Sequence, residues 1–384
     1  MGKFRSLKVL HIYRTYFPDT QGGGEELIRQ ICTNTQILGV ENRVFTLTPN
    51  CAAEPVERPE AEVVRAPRHL EIASCGISLT ALKRFNHQAQ WADVLHYYFP
   101  WPFGDILHLL SPHSKNKPVV VSYLSDVVRQ KTLYCFYKPL MRKFLAGVDA
   151  IVATSPNYCD SSPLLQSYQN KVSIIPIGLN EDDSAAPNPE KVARFKEGFG
   201  DNFMLFVGVL RYYKGLHFLI EAASKTAATI VIAGSGPEEI QLKSLAADKG
   251  LTNVHFLGRI SDDDKSALLQ ACRGFVFPSH LPSESFGISL LEAAMAGKPM
   301  ISCEIGTGTS YVNIHQQTGW VIEPANPAAL AEAITELASD QALAEHYGAQ
   351  ARQRYRDLFT GTAMGNQYLS LYQKLLAAKL FSRP

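Results

Sequence analysis

The chain has 384 residues, which is long for one domain and natural for two. With 46% hydrophobic and 19% charged residues, its composition is that of an ordinary soluble globular protein. A formal net charge of +1 gives no global electrostatic reason to expect a nucleic-acid partner.

Short apolar runs alternate with helical patterns up to about residue 176. One helical pattern runs from Glu25 to Leu38. Most of the apolar runs are continuous, which is typical of a parallel sheet covered on both faces. The runs predicted as strands are Leu7–Tyr13, Glu41–Leu47, Val94–Tyr97, Pro118–Tyr123, Ala150–Thr154 and Val172–Pro176.

The segment Gly22–Glu25 lies between the first predicted strand and the first predicted helix. Glycines in such a turn let backbone N–H groups approach a phosphate closely. The segment does not match G-x-G-x-x-G, so it does not favour a dinucleotide site. The alternative is a tight structural turn in which the glycines supply positive φ angles.

A second series of strands follows residues 180–189, which are rich in Asn, Asp, Ala and Pro and are interpreted as a linker. The pattern predicts two doubly wound α/β units joined near residue 185. A last helix, after about Phe359, has no strand to follow it. The strands predicted in the second series are Phe203–Val209, Thr229–Ala233, Val254–Leu257, Gly274–Phe277 and Pro299–Cys303.

Two cations, Arg211 and Lys214, follow the first strand of the second series. At the carboxyl end of a parallel strand they are placed to neutralise a departing diphosphate. Lys214 is therefore expected to be exposed in the crevice at this edge of the sheet. The alternative is an ordinary solvated basic turn.

The segment Pro278–Pro299 carries two carboxylates, Glu284 and Glu292, eight positions apart. A helix pattern in it starts near Phe286 and stops at Gly297. Helical spacing would put the carboxylates roughly 12 Å apart along the axis, too far for a shared proton. The N–H groups of a helix N-terminus bind an anion readily. The arrangement fits a ligand with phosphate in the middle and hydroxyls at both ends, such as a nucleotide-sugar.

These features resemble the retaining GT-B glycosyltransferases of family 4, whose signature is E-x7-E. The resemblance covers nearly the whole chain. Within the family, the chain resembles the bacterial O-antigen mannosyltransferase-like enzymes that use GDP-sugars. Besides the two glutamates, the matching segments are Val9–Pro18, Gly22–Glu26, Phe206–Gly208, Lys214–Gly215, Ile232–Pro237 and Thr318–Val321.

The resemblance implies an α/β GT-B fold, in which two Rossmann-like doubly wound domains face each other across a cleft. The N-terminal domain, expected over residues 1–180, would hold the acceptor. The C-terminal domain, expected over residues 190–359, would hold the nucleotide-sugar donor. The last helix, about residues 360–384, would cross back onto the first domain.

The resemblance also implies roles for single residues. Glu284 would face the transferred sugar as a catalytic residue, and Glu292 would accept hydrogen bonds from the ribose diol. Lys214 matches the family lysine, whereas Arg211 does not occupy the usual cation position, which is Val209 here. The backbone expected to hold sugar hydroxyls and phosphate is that of Ser285, Phe286, Gly287 and Ile288, and the loop of Gly23 and Gly24 would lie over the donor diphosphate.

A further loop, containing Gly258, Arg259 and Asp262, is where the family places the nucleobase. The Asp262 carboxylate could accept hydrogen bonds from the N–H groups of guanine. The alternative is that Asp262, Asp263 and Asp264 cap a helix, since Asp is a good N-cap residue.

One position departs from the family pattern. Many relatives carry a histidine near the transferred sugar where this chain has Leu124. Two alternatives to a transferase stay open. One is a GT-B-like glycan-binding protein made inactive by changes such as Leu124. The other, independent of Leu124, is a nucleotide-sugar epimerase of similar fold.

The resemblance implies front-face transfer with retention of anomeric configuration. GDP-mannose is the first choice of donor and GDP-rhamnose the second. The expected acceptor is a growing glycan on a polyprenyl diphosphate, as in bacterial O-antigen synthesis. No metal or other cofactor is expected, because a helix N-terminus and two cations are available to neutralise the diphosphate.

The expected location is cytoplasmic, with possible contact to the inner face of the plasma membrane. Seven singly scattered cysteines favour a reducing compartment. No apolar run approaches the ~20 residues needed to span a bilayer. The stretch from Arg129 to Phe144 mixes cations and aromatic residues, a composition that lipid surfaces attract. The alternative is a basic helix face above a core stripe.

Overall fold

The structure is a computed structural model that describes residues 6–50, 53–72, 75–126, 131–183 and 185–381. These residues form two compact units. Unit 1 takes its residues from Met1–Thr154, Ser162–Gly178 and Gly361–Pro384, and unit 2 from Ser155–Ser161 and Leu179–Thr360.

Strands and helices alternate along most of the described chain. The strands are β1 Leu7–Ile12, β2 Val40–Thr48, β3 Val56–Glu57, β4 Glu62–Pro67, β5 Leu70–Ile72, β6 Cys75–Ile77, β7 Val94–Phe99, β8 Val119–Tyr123, β9 Ala150–Ala153, β10 Val172–Ile174, β11 Met204–Val207, β12 Ile230–Ala233, β13 Val254–Gly258, β14 Gly274–Phe277, β15 Met300–Cys303 and β16 Gly319–Ile322. The helices are α1 Gly23–Ile37, α2 Ala81–Trp91, α3 Pro102–Leu110, α4 Lys131–Gly147, α5 Pro156–Ser161, α6 Pro163–Gln166, α7 Pro189–Phe199, α8 Leu216–Ala223, α9 Glu239–Asp248, α10 Asp262–Ala271, α11 Ile288–Met295, α12 Thr309–Val312, α13 Pro327–Ser339, α14 Gln341–Leu358 and α15 Gly361–Phe381.

Unit 1 is built on an eight-stranded sheet of order β10-β9-β8-β7-β1-β2-β4-β3. All neighbouring strands are parallel except β3, which pairs antiparallel with β4. A separate antiparallel hairpin joins β5 and β6. The strands β7, β8 and β9 are buried along their whole length, which explains their continuous apolar sequences.

Unit 2 is built on a six-stranded parallel sheet of order β13-β12-β11-β14-β15-β16. Numbered within the unit, this order is 3-2-1-4-5-6, the Rossmann arrangement. The strand order reverses between β11 and β14. In open α/β sheets a ligand binds outside the carboxyl ends of the strands at such a reversal.

The doubly wound α/β class predicted from the sequence is confirmed, and each predicted strand exists with ends shifted by a few residues. The sequence pattern did not predict β3, β4, the β5–β6 hairpin or β16. In β4 the pattern was obscured by Arg65, which is buried. Its Nε donates to the Glu54 carbonyl at 2.7 Å, and its Nη1 lies 3.3 Å from Asp19 Oδ1. The predicted linker contains a short 3-10 turn, Glu181–Asp183, and ends where Pro189 begins α7.

A buried polar network runs through the centre of unit 1. His11 in β1 lies in register with His96 in β7. The Nδ1 atom of His11 is 2.8 Å from the Tyr98 hydroxyl, and its Nε2 atom is 3.1 Å from Asn42 Oδ1. Both imidazoles are fully buried. The network therefore satisfies polar groups that would be costly to bury alone.

The same network holds the C-terminal helix α15 within unit 1. The Nδ1 atom of His96 lies 2.7 Å from the Tyr372 hydroxyl, and its Nε2 atom lies 2.8 Å from Ser122 Oγ. Ser122 Oγ in turn lies 2.9 Å from the Tyr368 hydroxyl. Both tyrosines belong to α15, so the helix contributes two of the partners that the central strands require.

We predict that stability falls as the pH drops from 6.5 toward 4. Burial lowers the pKa of His11 from 6.5 to about 4, opposed by the hydrogen bond with Asn42. Burial and then the neighbouring His11 lower the pKa of His96 well below its ordinary value. The unfolded chain therefore binds protons in this window that the folded chain does not. At pH 5, His11 alone should cost on the order of 2 kcal/mol.

Melting temperatures measured between pH 4 and 8 check this expectation. His11→Gln should weaken the dependence below pH 6.5, since the contribution of His96 remains, and His87→Gln, at an exposed position, should leave it unchanged. An unaltered pH dependence in His11→Gln would contradict the assignment.

Candidate active site in the second unit

The predicted catalytic residues lie at the strand reversal of unit 2. Arg211 and Lys214 follow β11, and Glu284 follows β14. The two loops contact each other, because the His280 N–H donates to the Tyr213 carbonyl at 3.0 Å. The fold thus brings together residues that lie about 70 positions apart in sequence.

Lys214 and Glu284 form an ion pair. Lys214 Nζ donates to Glu284 Oε2, and each side chain is only 11% exposed. Ser279 Oγ donates to the same carboxylate oxygen at 3.2 Å. Lys214 Nζ also lies 4.5 Å from the centroid of the Phe277 ring. The expectation that Lys214 is exposed was wrong, since the sequence did not reveal its carboxylate partner.

Arg211 lies one turn before Lys214, at the start of the 3-10 turn Tyr212–Lys214. Its side chain is exposed, unlike that of Lys214. The two cations therefore differ in their surroundings. Lys214 is already matched by a negative charge, while Arg211 faces solvent, where it can meet a mobile anion.

The turn between Glu284 and α11 is anchored through its carbonyl groups. Thr307 Oγ1 donates to the Glu284 carbonyl at 2.7 Å, and the Gly308 N–H donates to the Ser285 carbonyl at 2.8 Å. Gly287 adopts φ 90°, a left-handed conformation that favours glycine. Ser285, Phe286 and Gly287 therefore form a fixed turn before the helix.

The helix α11 begins at Ile288, two residues later than the predicted start near Phe286. Glu284 therefore lies before the helix, and the distance of roughly 12 Å from helical spacing does not apply. Glu292 is the fifth residue of α11, just over one turn from its start. Lys265 Nζ in α10 donates to Glu292 Oε1 at 2.8 Å.

The predicted nucleobase loop lies between β13 and α10. Gly258 ends β13, and Arg259 is exposed. Ser261, not an aspartate, is the N-cap of α10, and its Oγ accepts the Asp264 N–H at 3.0 Å. The three aspartates occupy the first helical turn, where negative charge is favourable. The Asp262 side chain is 79% exposed and remains accessible to ligand.

The glycine loop belongs to unit 1, where Gly23 and Gly24 are the first two residues of α1. Neither has a positive φ angle, so the alternative of a turn requiring positive φ was wrong. A side chain at Gly24 would instead meet the Tyr13 hydroxyl at 2.7 Å. Glu25 in the same turn accepts hydrogen bonds from Thr15 and Thr20 at 2.8 Å each. Phosphate contact by Gly23 and Gly24 stays a prediction.

Two lysine side chains pair with the aspartates in the first turn of α10. Lys191 Nζ pairs with Asp263 at 2.6 Å and with Asp264 at 2.7 Å, and Lys265 Nζ lies 3.2 Å from Asp262. Within the described ranges, no group of three or more His, Cys, Asp or Glu side chains could hold a metal ion.

Leu124 follows β8 in unit 1 and is half-buried, with its N–H donating to the Phe99 carbonyl at 3.0 Å.

Three residues of the site were not predicted from the sequence. Ser279 and Thr307 support Glu284, and Lys265 contacts Glu292. The only sequence signal for Thr307 is that it lies in a run of small residues between β15 and α12.

Two family models match the chain. Residues 21–183 match the model described as Glycosyltransferase Family 4, and residues 189–354 match that described as Glycosyl transferases group 1. The D-rhamnosyltransferase WbpZ of Pseudomonas aeruginosa is 49% identical over 354 residues, 92% of each chain. The chain belongs to glycosyltransferase family 4.

A second relative covers this glycosyltransferase almost from end to end. The O-antigen chain mannosyltransferase C of Escherichia coli is 46% identical over 374 residues, which cover 97% of this chain and 100% of that one. Both relatives are named as glycosyltransferases, and neither supports an epimerase or an inactive glycan-binding protein.

Solved structures support the fold of this glycosyltransferase. Sucrose-phosphate synthase from Thermosynechococcus elongatus superposes with a TM-score of 0.79 at 20% identity, covering 97% of this chain and 100% of that one. HepE from Anabaena, in complex with UDP and glucose, gives a TM-score of 0.78 at 16% identity, covering 96% and 100%. The predicted GT-B fold class, with two Rossmann-like α/β domains, is confirmed.

We predict that Lys214→Met lowers kcat/KM by on the order of 10²-fold, through lost stabilisation of the leaving group. It should also lower the melting temperature, because Glu284 is left as a partly buried charge without its partner. Steady-state kinetics and thermal unfolding measure the two effects separately.

The double variant Lys214→Met with Glu284→Gln removes both charges. It should recover most of the lost thermal stability and none of the lost activity. Full activity in Lys214→Met at normal substrate concentrations would remove Lys214 from the reaction.

Proposed function

We propose that this glycosyltransferase moves a mannosyl or rhamnosyl group from a GDP-sugar to a lipid-linked glycan in O-antigen synthesis. The main support is the pair of relatives at 49% and 46% identity, a D-rhamnosyltransferase and an O-antigen chain mannosyltransferase. Both names describe hexose transfer. The exposed Asp262 carboxylate also supports a guanine base, because it could accept hydrogen bonds from the N–H groups of guanine.

In the proposed reaction, residues of unit 2 bind the groups on both sides of the bond that breaks, the transferred sugar and the departing diphosphate. Glu284, fixed by Ser279 and by the anchored turn, orients the hydroxyls of the transferred sugar. Lys214 forms an ion pair with the same carboxylate and can shift toward the diphosphate as negative charge develops on that leaving group. Arg211, exposed at the same loop, adds a second positive charge. The N–H groups at the start of α11 add a partial positive charge.

We further propose that transfer retains the anomeric configuration and needs no metal ion. Retention is proposed from the match of Glu284 and Glu292 to the E-x7-E pattern. Metal independence is proposed because Lys214, Arg211 and the start of α11 supply positive charge from the chain itself.

The donor is tested by incubating the protein with GDP-mannose, GDP-rhamnose and UDP-glucose and measuring the melting temperature. The cognate GDP-sugar should raise it, because a ligand that binds only the folded state stabilises that state. Transfer to a polyprenyl-diphosphate-linked glycan should then persist in EDTA, and NMR of the product should report the retained anomer.

Two results would contradict the proposal. Stabilisation by UDP-glucose alone would reject the GDP-sugar donor. Activity that disappears with EDTA and returns with Mn²⁺ would reject the charge-neutralising role of Lys214 and Arg211.

We also propose that the protein touches the inner face of the plasma membrane through helix α4. No helix in the described part of the chain is long and apolar enough to cross a bilayer. On α4, the cations Lys138, Arg142 and Lys143 are exposed, and Phe136 is 82% exposed. Such a mixture suits a surface carrying anionic lipid. Arg129, part of the predicted stretch, and the side chain of Lys131 lie outside the described residues.

The membrane proposal predicts salt-sensitive sedimentation with anionic liposomes. Changing Lys138, Arg142 and Lys143 to Ser should reduce binding at low salt, since each cation contributes at most ~1 kcal/mol near an anionic surface. Binding of the parent should weaken as salt rises, because the attraction is screened over about 8 Å at physiological ionic strength.

A matched control carries three exposed lysines of unit 2, Lys225, Lys243 and Lys249, changed to Ser. It loses the same charge and should bind like the parent. Equal sedimentation of the α4 variant and the control would show that α4 is an ordinary solvated helix.

A further inference from the structure

Four carboxylates and two lysines meet around the first turn of α10. Lys265 Nζ lies 2.8 Å from Glu292 Oε1 and 3.2 Å from Asp262 Oδ1. It therefore joins α11, which carries Glu292, to the exposed aspartate at the start of α10. Lys265 is 28% exposed and Glu292 19% exposed, so this contact is partly withdrawn from water.

The other two aspartates of the turn face a different lysine. Lys191, in α7, pairs with Asp263 at 2.6 Å and with Asp264 at 2.7 Å. Of the three aspartates in this turn, Asp262 is the one that pairs with Lys265. Each lysine forms ion pairs with aspartates at the N-terminus of α10, but Lys265 also contacts Glu292.

The charges around Lys265 keep it protonated. Burial acts to lower the pKa of Lys265, but the charge and hydrogen bond of Glu292, followed by those of Asp262, outweigh it and raise that pKa. The lysine thus stays positive between two carboxylates that would repel each other without it. A side chain held in this way loses little further freedom when a ligand arrives.

We propose that Lys265 is a positioning residue for nucleotide recognition, which holds the Glu292 carboxylate toward the ribose diol and links it to Asp262 at the base. The inference rests on the proposed function, in which Glu292 and Asp262 contact a bound GDP-sugar. A carboxylate held by Lys265 should discriminate against a sugar that lacks a hydroxyl more strongly than a mobile carboxylate would. When the hydroxyl is missing, a fixed oxygen cannot turn to another donor, so binding loses the free energy of that hydrogen bond in full.

The consequence is a change in discrimination rather than a uniform loss of affinity. Lys265→Met removes the lysine contact that holds Glu292, so the preference for GDP over 2′-deoxy-GDP should fall by about tenfold. Lys265→Arg keeps a positive charge within reach of both carboxylates and should restore most of the preference. Lys191→Met removes an equivalent ion pair from the same helix end and should leave the preference unchanged.

The experiment measures the dissociation constants of GDP and 2′-deoxy-GDP by titration calorimetry. The proteins are the parent, Lys265→Met, Lys265→Arg, Lys191→Met and Glu292→Gln, together with the double variant Lys265→Met with Glu292→Gln. Melting temperatures show that each variant is folded. The double variant should discriminate no less than Glu292→Gln alone, since the lysine acts through the glutamate.

Two outcomes overturn the inference while leaving the proposed function intact. One is a parent-like preference in Lys265→Met when Glu292→Gln has lost it. The other is an equal loss of preference in Lys191→Met, which would make the effect a general property of the helix end. A parent that binds GDP and 2′-deoxy-GDP equally, or binds neither, would instead reject the proposed role of Glu292 and the GDP-sugar donor.

Discussion

The ion pair of Lys214 and Glu284 joins the loops that follow the two central strands of unit 2. Neither charge is well hydrated, so each depends on the other, and Ser279 gives the carboxylate a further hydrogen bond. The pair forms because β11 and β14 are neighbours in the sheet, although several other elements separate them in sequence. Sheet topology, rather than local sequence, thus determines the electrostatics of the site.

The pairing of Lys214 with Glu284 reduces the attraction that Lys214 alone would exert on an incoming diphosphate. A lysine that already faces a carboxylate does not present a full unpaired charge to an incoming anion. In the proposed reaction, the additional attraction would come from Arg211, which is exposed, and from the N-terminus of α11. Lys214 would then contribute most when negative charge grows on the leaving group, which lowers the barrier rather than tightening binding of the ground state.

The sequence predicted the fold class and most strands because apolar runs and glycine turns are local signals. Glu284 and Glu292 could be identified from spacing within one segment. Their partners could not, because Lys214 lies about 70 residues from Glu284 and Lys265 lies 27 residues from Glu292. The strand β4 was missed for a related reason, since Arg65 is buried by contacts with residues outside its own segment.

The placement of α15 has a consequence for biosynthesis. Unit 1 needs Tyr368 and Tyr372 as partners for His96 and Ser122, yet these residues follow the whole span Leu179–Thr360 of unit 2. At ribosomal speeds of about 5–20 residues per second, that span takes on the order of 10 s or more to translate. During this time His96 and Ser122 lack two of their hydrogen-bond partners, so the first unit can complete its folding only after α15 has been synthesised.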